Sequence, residues 1–383
     1  MSQNPPPHCL DRDGFATLFN VLKERGFITV GPTKGDGATL YDVLESMEDL
    51  PIGWKDEQEA GTYRLKKRDD NTLFGYNVGP HSWKKYLFPS KTKLWSATKK
   101  GSGFEVKSDA DPAPKYAFIG VRACELHAIQ MQDKVFMGGT YQDPIYTGRR
   151  QDCLIIAVNC TQAAKTCFCT SMQTGPKVDD GYDLVLTEII DETRHYFVID
   201  CGSDAGADIL KELNTNLAEQ DDLQAVAIGV ENAKKQMGRA VDVSDIKDIL
   251  YRNYDNKRWA DLEKRCLACG NCTMACPTCF CSSVEDVTDL TGKHAERWRT
   301  WDSCFTMDFS NIHGGSVRAS IGSRYRQWLT HKLATWLDQF GSSGCVGCGR
   351  CIAWCPVGID LTEEVKAIRD SDEGDQNDTH KDS

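Results

Sequence analysis

Two cysteine runs carry most of the chemistry available to this 383-residue chain. Cys266, Cys269, Cys272 and Cys276 are followed by Pro277, and Cys345, Cys348, Cys351 and Cys355 by Pro356. Both read C-x2-C-x2-C-x3-C-P, the spacing of bacterial-type iron–sulfur ligation. Three thiolates separated by two residues can wrap one corner of a cubane. Gly270 and Gly349 fall where the backbone must approach inorganic sulfide, and the proline turns the fourth cysteine away. Zinc ribbons use paired C-x2-C units without the third and fourth cysteines, so zinc is the poorer reading. In two-cluster ferredoxins the fourth cysteine of each run serves the other cluster. That rule predicts one 4Fe–4S cluster on Cys266, Cys269, Cys272 and Cys355. It predicts a second on Cys345, Cys348, Cys351 and Cys276, with iron held through thiolates alone.

Ten of the 18 cysteines lie outside these runs. Cys124 and Cys160 each follow a short apolar stretch that reads as a buried strand, and Cys167 and Cys169 come shortly after in a loop. Ligands gather at strand ends in α/β sheets, so these four are candidates for a third 4Fe–4S cluster. The alternative is a set of buried or loop thiols. Cys279, Cys281 and Cys304 leave three readings open: a replacement cluster ligand, a redox-active dithiol, or simple packing. Cys9, Cys153 and Cys201 are isolated and read as structural thiols. One local echo exists, Thr166-Cys167-Phe168-Cys169 and Thr278-Cys279-Phe280-Cys281. No residue is singled out as catalytic. No dinucleotide or P-loop glycine motif is present, and no Ser-His-Asp or paired-carboxylate arrangement stands out.

The elements that must position these thiols divide into an N-terminal α/β domain with a mixed sheet and a C-terminal α-helical ferredoxin domain, an α+β chain. Residues 1–9 read as a disordered lead, 10–240 as the α/β domain, 243–362 as the helical dicluster domain, and 363–383 as an acidic disordered tail. Residues 10–49 suggest helix, strand, helix. The apolar runs Tyr116–Val121 and Cys153–Asn159 suit buried strands. A hairpin is expected around Asp191, and helices over 208–220 and 221–235. The 68 residues between Cys276 and Cys345 are expected to form a helical insertion. Within it, Lys293, Arg297, Arg299, Arg318, Arg324, Arg326 and Lys332 are interleaved with Trp298, Trp301, Phe305 and Trp328. They suggest either a positive, apolar cover that raises cluster potentials or a helical docking surface.

A formal net charge of −11 and a pI near 5.3 disfavour nucleic-acid or anionic-membrane partners. The first residues lack the basic and apolar regions of a secretory signal, and no apolar run is long enough to span a membrane. A cytoplasmic location is expected.

Several stretches resemble the iron–sulfur β subunit of cytoplasmic NAD(P)-linked NiFe hydrogenases, the sulfhydrogenases, and the corresponding iron–sulfur subunit of anaerobic sulfite reductase. They are Gly79–Pro89, Gly120–Ile129, Asp143–Arg150, Cys167–Pro176, Cys266–Cys281 and Trp301–Cys304, within a resemblance covering about residues 10–362. The resemblance implies an electron-transfer subunit of anaerobic metabolism in a hetero-oligomer. Such a subunit relays electrons between a flavin/NAD(P)-binding reductase subunit and a catalytic subunit of hydrogenase, sulfite reductase or heterodisulfide reductase type. Two other functions compete. One is a self-contained thiol/disulfide or sulfur-compound reductase using Cys279, Cys281 and Cys304 beside a cluster. The other is a scaffold that the clusters only stiffen.

Overall fold

The stretch Arg12–Glu24 places Phe15, Leu18, Phe19 and Leu22 on one face, and all four are buried. Asp11 starts this helix by accepting from the Gly14 amide at 2.7 Å, and Gly26 ends it at φ +77°, where a side chain would be strained. In the computed structural model, which describes residues 5–108 and 113–379, this helix covers one face of a large sheet.

In chain order the strands are β1 (His8–Asp11), β2 (Ile28–Gly35), β3 (Ala38–Val43), β4 (Trp54–Glu59), β5 (Thr62–Lys67), β6 (Lys91–Lys100) and β7 (Gly103–Lys107). They continue with β8 (Tyr116–Val121), β9 (Leu154–Val158), β10 (Leu184–Ile190), β11 (His195–Cys201), β12 (Asn216–Leu217), β13 (Ser282–Thr288) and β14 (His294–Trp301). The large sheet has eight strands in the order β12-β1-β11-β10-β9-β8-β2-β3. Its middle is parallel, β2 with β8, β8 with β9 and β9 with β10, and its flanks are antiparallel. Successive strand side chains point to opposite faces. Ile119 and Ile156 therefore join the core under the first helix, while Phe118 and Ile155 pack on the other face with Trp83, Leu126 and Tyr146. Burial on both faces explains why β8 and β9 are continuous apolar runs.

The C-terminal part is built on helices. Arg258–Arg265, Ile321–Thr330 and the helix beginning at Leu361 pack Trp259, Leu262, Trp328, Leu329, Val365 and Ile368 into a separate core. The architecture is α+β, with the large sheet N-terminal and most of the helices that surround the cysteine runs C-terminal.

The insertion between the two cysteine runs departs from the helical expectation. Its first half is a β hairpin, β13–β14, and β14 pairs with β6 in a four-stranded sheet ordered β13-β14-β6-β7. The segment His294–Trp301 alternates its side chains with period two, and the partner strand that satisfies its backbone lies about two hundred residues earlier. Only Ile321–Phe340 is helical as expected, with a π turn at His331–Thr335. The segments 10–240 and 243–362 thus share a sheet.

Smaller differences have local causes. Residues 38–43 form β3 rather than the start of a helix, because Asp36 and Gly37 take positive φ and close a tight hairpin with β2. Residues 208–220 contain the end of the helix Asp204–Leu210 and then β12, which pairs with β1. His8 and Cys9, assigned to a disordered lead, are in β1, held between β11 and β12. The acidic tail is helical as far as Thr379. Val365 and Ile368 anchor that helix in the core, and Asp372 receives hydrogen bonds from Arg252 and Asn253. Residues 1–4 of the lead and 380–383 of the tail lie outside the described residues.

Candidate metal centre

The two cysteine runs fold onto the same backbone template. In the first, Ala268 (φ +51°) and Gly270 (φ +76°) are left-handed, and Gly270 precedes the turn Asn271–Met274. In the second, Gly347 (φ +64°) and Gly349 (φ +76°) repeat the pattern before Arg350–Ala353. Alternating right- and left-handed residues curl successive N–H groups into a concave nest that favours anions. The N–H of Ala268 donates to Cys266 Sγ at 3.4 Å, Gly347 to Cys345 Sγ at 3.5 Å, and Ile359 to Cys355 Sγ at 3.3 Å. These donors stabilise sulfur in its anionic form.

Proximity of the thiols follows the crossed pattern. Burial pushes Cys272 well above the usual thiol range, and the next strongest influences on it are Cys266, Cys355 and Cys269. These four line one pocket together with Cys351 of the second run, with Phe305 and Tyr325 as apolar walls. Cys351 is likewise raised by burial, and then by Cys345, Cys348 and Cys276. The fourth cysteine of each run therefore lies with the other run.

Cys124, Cys160, Cys167 and Cys169 also converge. β8 and β9 are parallel neighbours, so Cys124, in the first turn of the helix Ala123–Phe136, and Cys160 leave the sheet at the same edge. Burial raises Cys169, to which Cys167, Cys160 and Cys348 add, and it raises Cys124, to which Cys169 and Cys348 add. Cys348 of the second run thus faces this set. The loop carrying Cys167 and Cys169 is stitched to the second run by Phe168 N–H donating to Gly347 O at 2.8 Å and Thr174 Oγ1 donating to Val346 O at 2.7 Å. A Cβ on Gly347 would meet Phe168 backbone at 2.6 Å, and one on Gly349 would meet Thr166 O at 2.5 Å.

The other cysteines separate cleanly. Cys9 donates to Asp222 at 3.3 Å and Cys201 to Ser203 O at 3.2 Å. Burial raises both Cys9 and Cys153 to about 12, fitting inert structural thiols. Cys279 stands against Cys276, while Cys281 stands against Cys304. The hydrogen bond from Cys304 pulls Cys281 down to about 7, with the Cys304 amide, Lys332 and Lys84 adding to it.

The charges around the thiols differ from the expected cover. Arg297 pairs with Asp286, Arg299 with Asp143, and Lys93 of β6 meets Glu296. Arg297 is thus paired within its own hairpin, and Arg299 with the residue that caps the helix Pro144–Gln151. Arg324 is spent largely on the Phe305 carbonyl, at 2.8 Å. Of the seven, Lys332 is the one aimed at sulfur. It is 5% exposed and its Nζ lies 3.1 Å from Cys276 Sγ and 3.8 Å from Cys279 Sγ. The π turn that begins at His331 re-aims this side chain, as such turns often do at functional sites. The sequence clue was a lone cation inside the apolar stretch Trp328–Leu337.

Three further buried cations had no sequence signal. Lys84 donates to Cys279 O at 3.0 Å and sits 4.0 Å from the centre of the Trp301 ring. Arg122 reaches Cys160 Sγ at 3.9 Å. Arg350, fully buried, donates to Glu125 at 2.5 Å and to the carbonyls of Gly79 and His81, across the seam between the sheet and the second run.

Among the described residues no group of three or more His, Cys, Asp and Glu side chains could hold a single metal ion. Thiols around a cubane stand farther apart, because four irons and four sulfides separate them. Buried thiols that raise one another, nests of N–H donors and buried cations form a donor set suited to a multi-iron anionic group.

Comparison with known proteins supports this chemistry. Residues 265–359 match the family described as a 4Fe-4S dicluster domain. The chain is 28% identical over 365 residues to Sulfhydrogenase 2 subunit beta of Pyrococcus furiosus, covering 94% of this chain and 98% of that one. No solved structure matches the chain. The resemblance read from the sequence extends along nearly the whole chain, and residues 265–359 are those of a 4Fe–4S dicluster domain. No helix among the described residues is long and apolar enough to cross a membrane.

Proposed function

We propose that this chain is a three-cluster relay in a cytoplasmic hetero-oligomer, passing single electrons between a flavin/NAD(P)H subunit and a catalytic subunit of hydrogenase type. The observation that carries the reading is the succession of thiol sets. Cys272 of the first set lies toward Cys276 of the second, and Cys348 of the second faces Cys124, Cys167 and Cys169 of the third. A 4Fe–4S group, when bound, stores and releases one electron. The relay needs only fixed, neighbouring centres, and the two ferredoxin runs and the strand-end set supply them.

The first set would be held by Cys266, Cys269, Cys272 and Cys355, the second by Cys345, Cys348, Cys351 and Cys276, and the third by Cys124, Cys160, Cys167 and Cys169. Lys332 offsets charge at the second set and Arg122 at the third. Cys269 is exposed, and the apolar side chains of Leu267 and Val357 beside it are also exposed, which makes the first set a port for a partner subunit. The Pyrococcus furiosus relative is a β subunit of a sulfhydrogenase, which supports assembly with other subunits.

Iron analysis of the anaerobically purified chain tests the reading. Three cubanes require about twelve iron atoms, at four each. About eight would remove the third set. Absence of reducible 4Fe–4S signals in an EPR titration would remove the relay and favour a scaffold.

A further inference from the structure

A cavity of about 570 Å³ opens beside the first and second thiol sets, and Cys279, Cys281 and Cys304 all line it. That is the size of a small-molecule site. Its wall carries Arg318, Gln327 and His331 as polar groups and Phe280 and Trp336 as apolar ones.

The hairpin fixes two of these thiols together. β13 and β14 pair from Ser282 opposite Trp301, and the ladder continues one step, with the Asp302 amide donating to Cys281 O at 2.9 Å. Asp302 also receives the Ser283 hydroxyl. The chain then turns at Ser303, whose carbonyl accepts from Thr306 N–H at 2.9 Å. This turn brings Cys304 back to the same cavity wall as Cys281. Cys281 and Cys304 thus end as neighbours at the foot of the hairpin, both on the wall of the cavity. Cys279 lies on the same wall, nearest Cys276 and Lys332, with Cys281 as a further neighbour.

We propose that Cys281 and Cys304 are a redox-active thiol pair on the wall of this cavity, and that its substrate is a small disulfide bearing carboxylates. Arg318, hydrogen-bonded to Ser310, supplies positive charge for the carboxylates. The Cys281 thiolate attacks one sulfur of the substrate, and the substrate S–S bond breaks. One half leaves as a thiolate and takes a proton from solvent. Cys304 loses its proton to solvent and attacks Cys281 Sγ. The second half leaves, is protonated, and a Cys281–Cys304 disulfide remains. Two electrons, delivered singly through the relay, and two protons restore both thiols. The net change is one disulfide, two electrons and two protons to two thiols. The electron supply rests on the relay reading; formation of the protein disulfide does not.

The test uses the anaerobically purified full chain with its iron and oxidised glutathione as probe. Free thiols are alkylated after incubation and the peptides mapped by mass spectrometry. The expected result is a Cys281–Cys304 linked peptide, two glutathione thiols released per chain, and iron content unchanged. Cys304→Ser is expected to trap glutathione on Cys281 at full iron content, and Cys281→Ser to slow thiol release at least tenfold. Absence of the linked peptide overturns the proposal. So does loss of about four iron atoms in either variant, since that would mark the residue as a cluster ligand. Because the linked peptide forms without electrons from the relay, failure of the relay alone would leave it intact. Reopening of the linked pair by dithionite-reduced chain would then report on the relay separately.

Discussion

Replacing Lys332 with methionine should lower the reduction potential of the cluster held by Cys345, Cys348, Cys351 and Cys276. The ammonium is buried, and its Nζ lies 3.1 Å from Cys276 Sγ. Burial alone would lower its pKa, but the thiols of Cys276, Cys279 and Cys345 outweigh that and raise it well above the usual lysine range. The neighbouring thiols thus favour its charged form. If the added electron resides roughly 6 Å away in a medium of effective dielectric constant about 20, its attraction to the ammonium is ~3 kcal/mol. A tenfold change in equilibrium is about 1.4 kcal/mol, or ~59 mV for one electron, so the potential should fall by roughly 100 mV. Methionine keeps most of the stem volume, which separates loss of charge from loss of packing. EPR-monitored redox titration of Lys332→Met beside Lys332→Arg measures the effect. The arginine variant should retain most of the native potential, and the signals of the other two clusters should move far less. An unchanged midpoint, or a rise, in the methionine variant with full iron content would refute the electrostatic role assigned to Lys332.

Crossed ligation gives a second expectation. Cys355→Ala should disturb the cluster of the first cysteine run and leave that of the second, and Cys276→Ala the reverse, as read by EPR and iron content. Gly349→Ala should destabilise the seam by ~2 kcal/mol or more, because it adds left-handed strain to a Cβ placed 2.5 Å from Thr166 O; thermal unfolding measures this. Arg350→Met should cost about 3–5 kcal/mol, since Glu125 stays buried without its cationic partner; denaturant unfolding of the anaerobic chain checks it. The C-terminal helix should loosen in acid. The hydrogen bond from Arg252 holds the Asp372 carboxyl below its usual value. That contribution is complete above the unfolded carboxylate pKa of about 4 and is lost as pH falls through the lower folded value. Hydrogen exchange across 361–372 should show it, and Asp372→Asn should remove the dependence.

Much of the fold was legible because its signals are local. The helix at Arg12–Glu24, the buried strands β8 and β9 and the hairpin of β10 and β11 follow from periodicity and turn residues within a dozen positions. The hairpin β13–β14 was missed, although His294–Trp301 alternates with period two. Its cluster of Arg and Trp was read as a helical surface, and the strand that completes its sheet, β6, is remote in sequence. The helical extent of the acidic tail was missed for a related reason. Its stability comes from Arg252, from Asn253 and from a core that local composition cannot reveal.

The cysteine runs by themselves determined the chemistry, because a C-x2-C-x2-C-x3-C-P chelate is a short stretch of chain whose geometry is set by bond lengths and backbone turns. They also pointed to which eight thiols group across the insertion, since the proline and the third spacing send the fourth cysteine outward. Only the tertiary structure decided what surrounds those thiols. It set Cys348 against the strand-end cysteines, buried Lys332 and Lys84 beside Cys276 and Cys279, and put Cys281 and Cys304 on one cavity wall at the end of a hairpin. Charge and proximity act through space, over distances that the order of residues along the chain does not record.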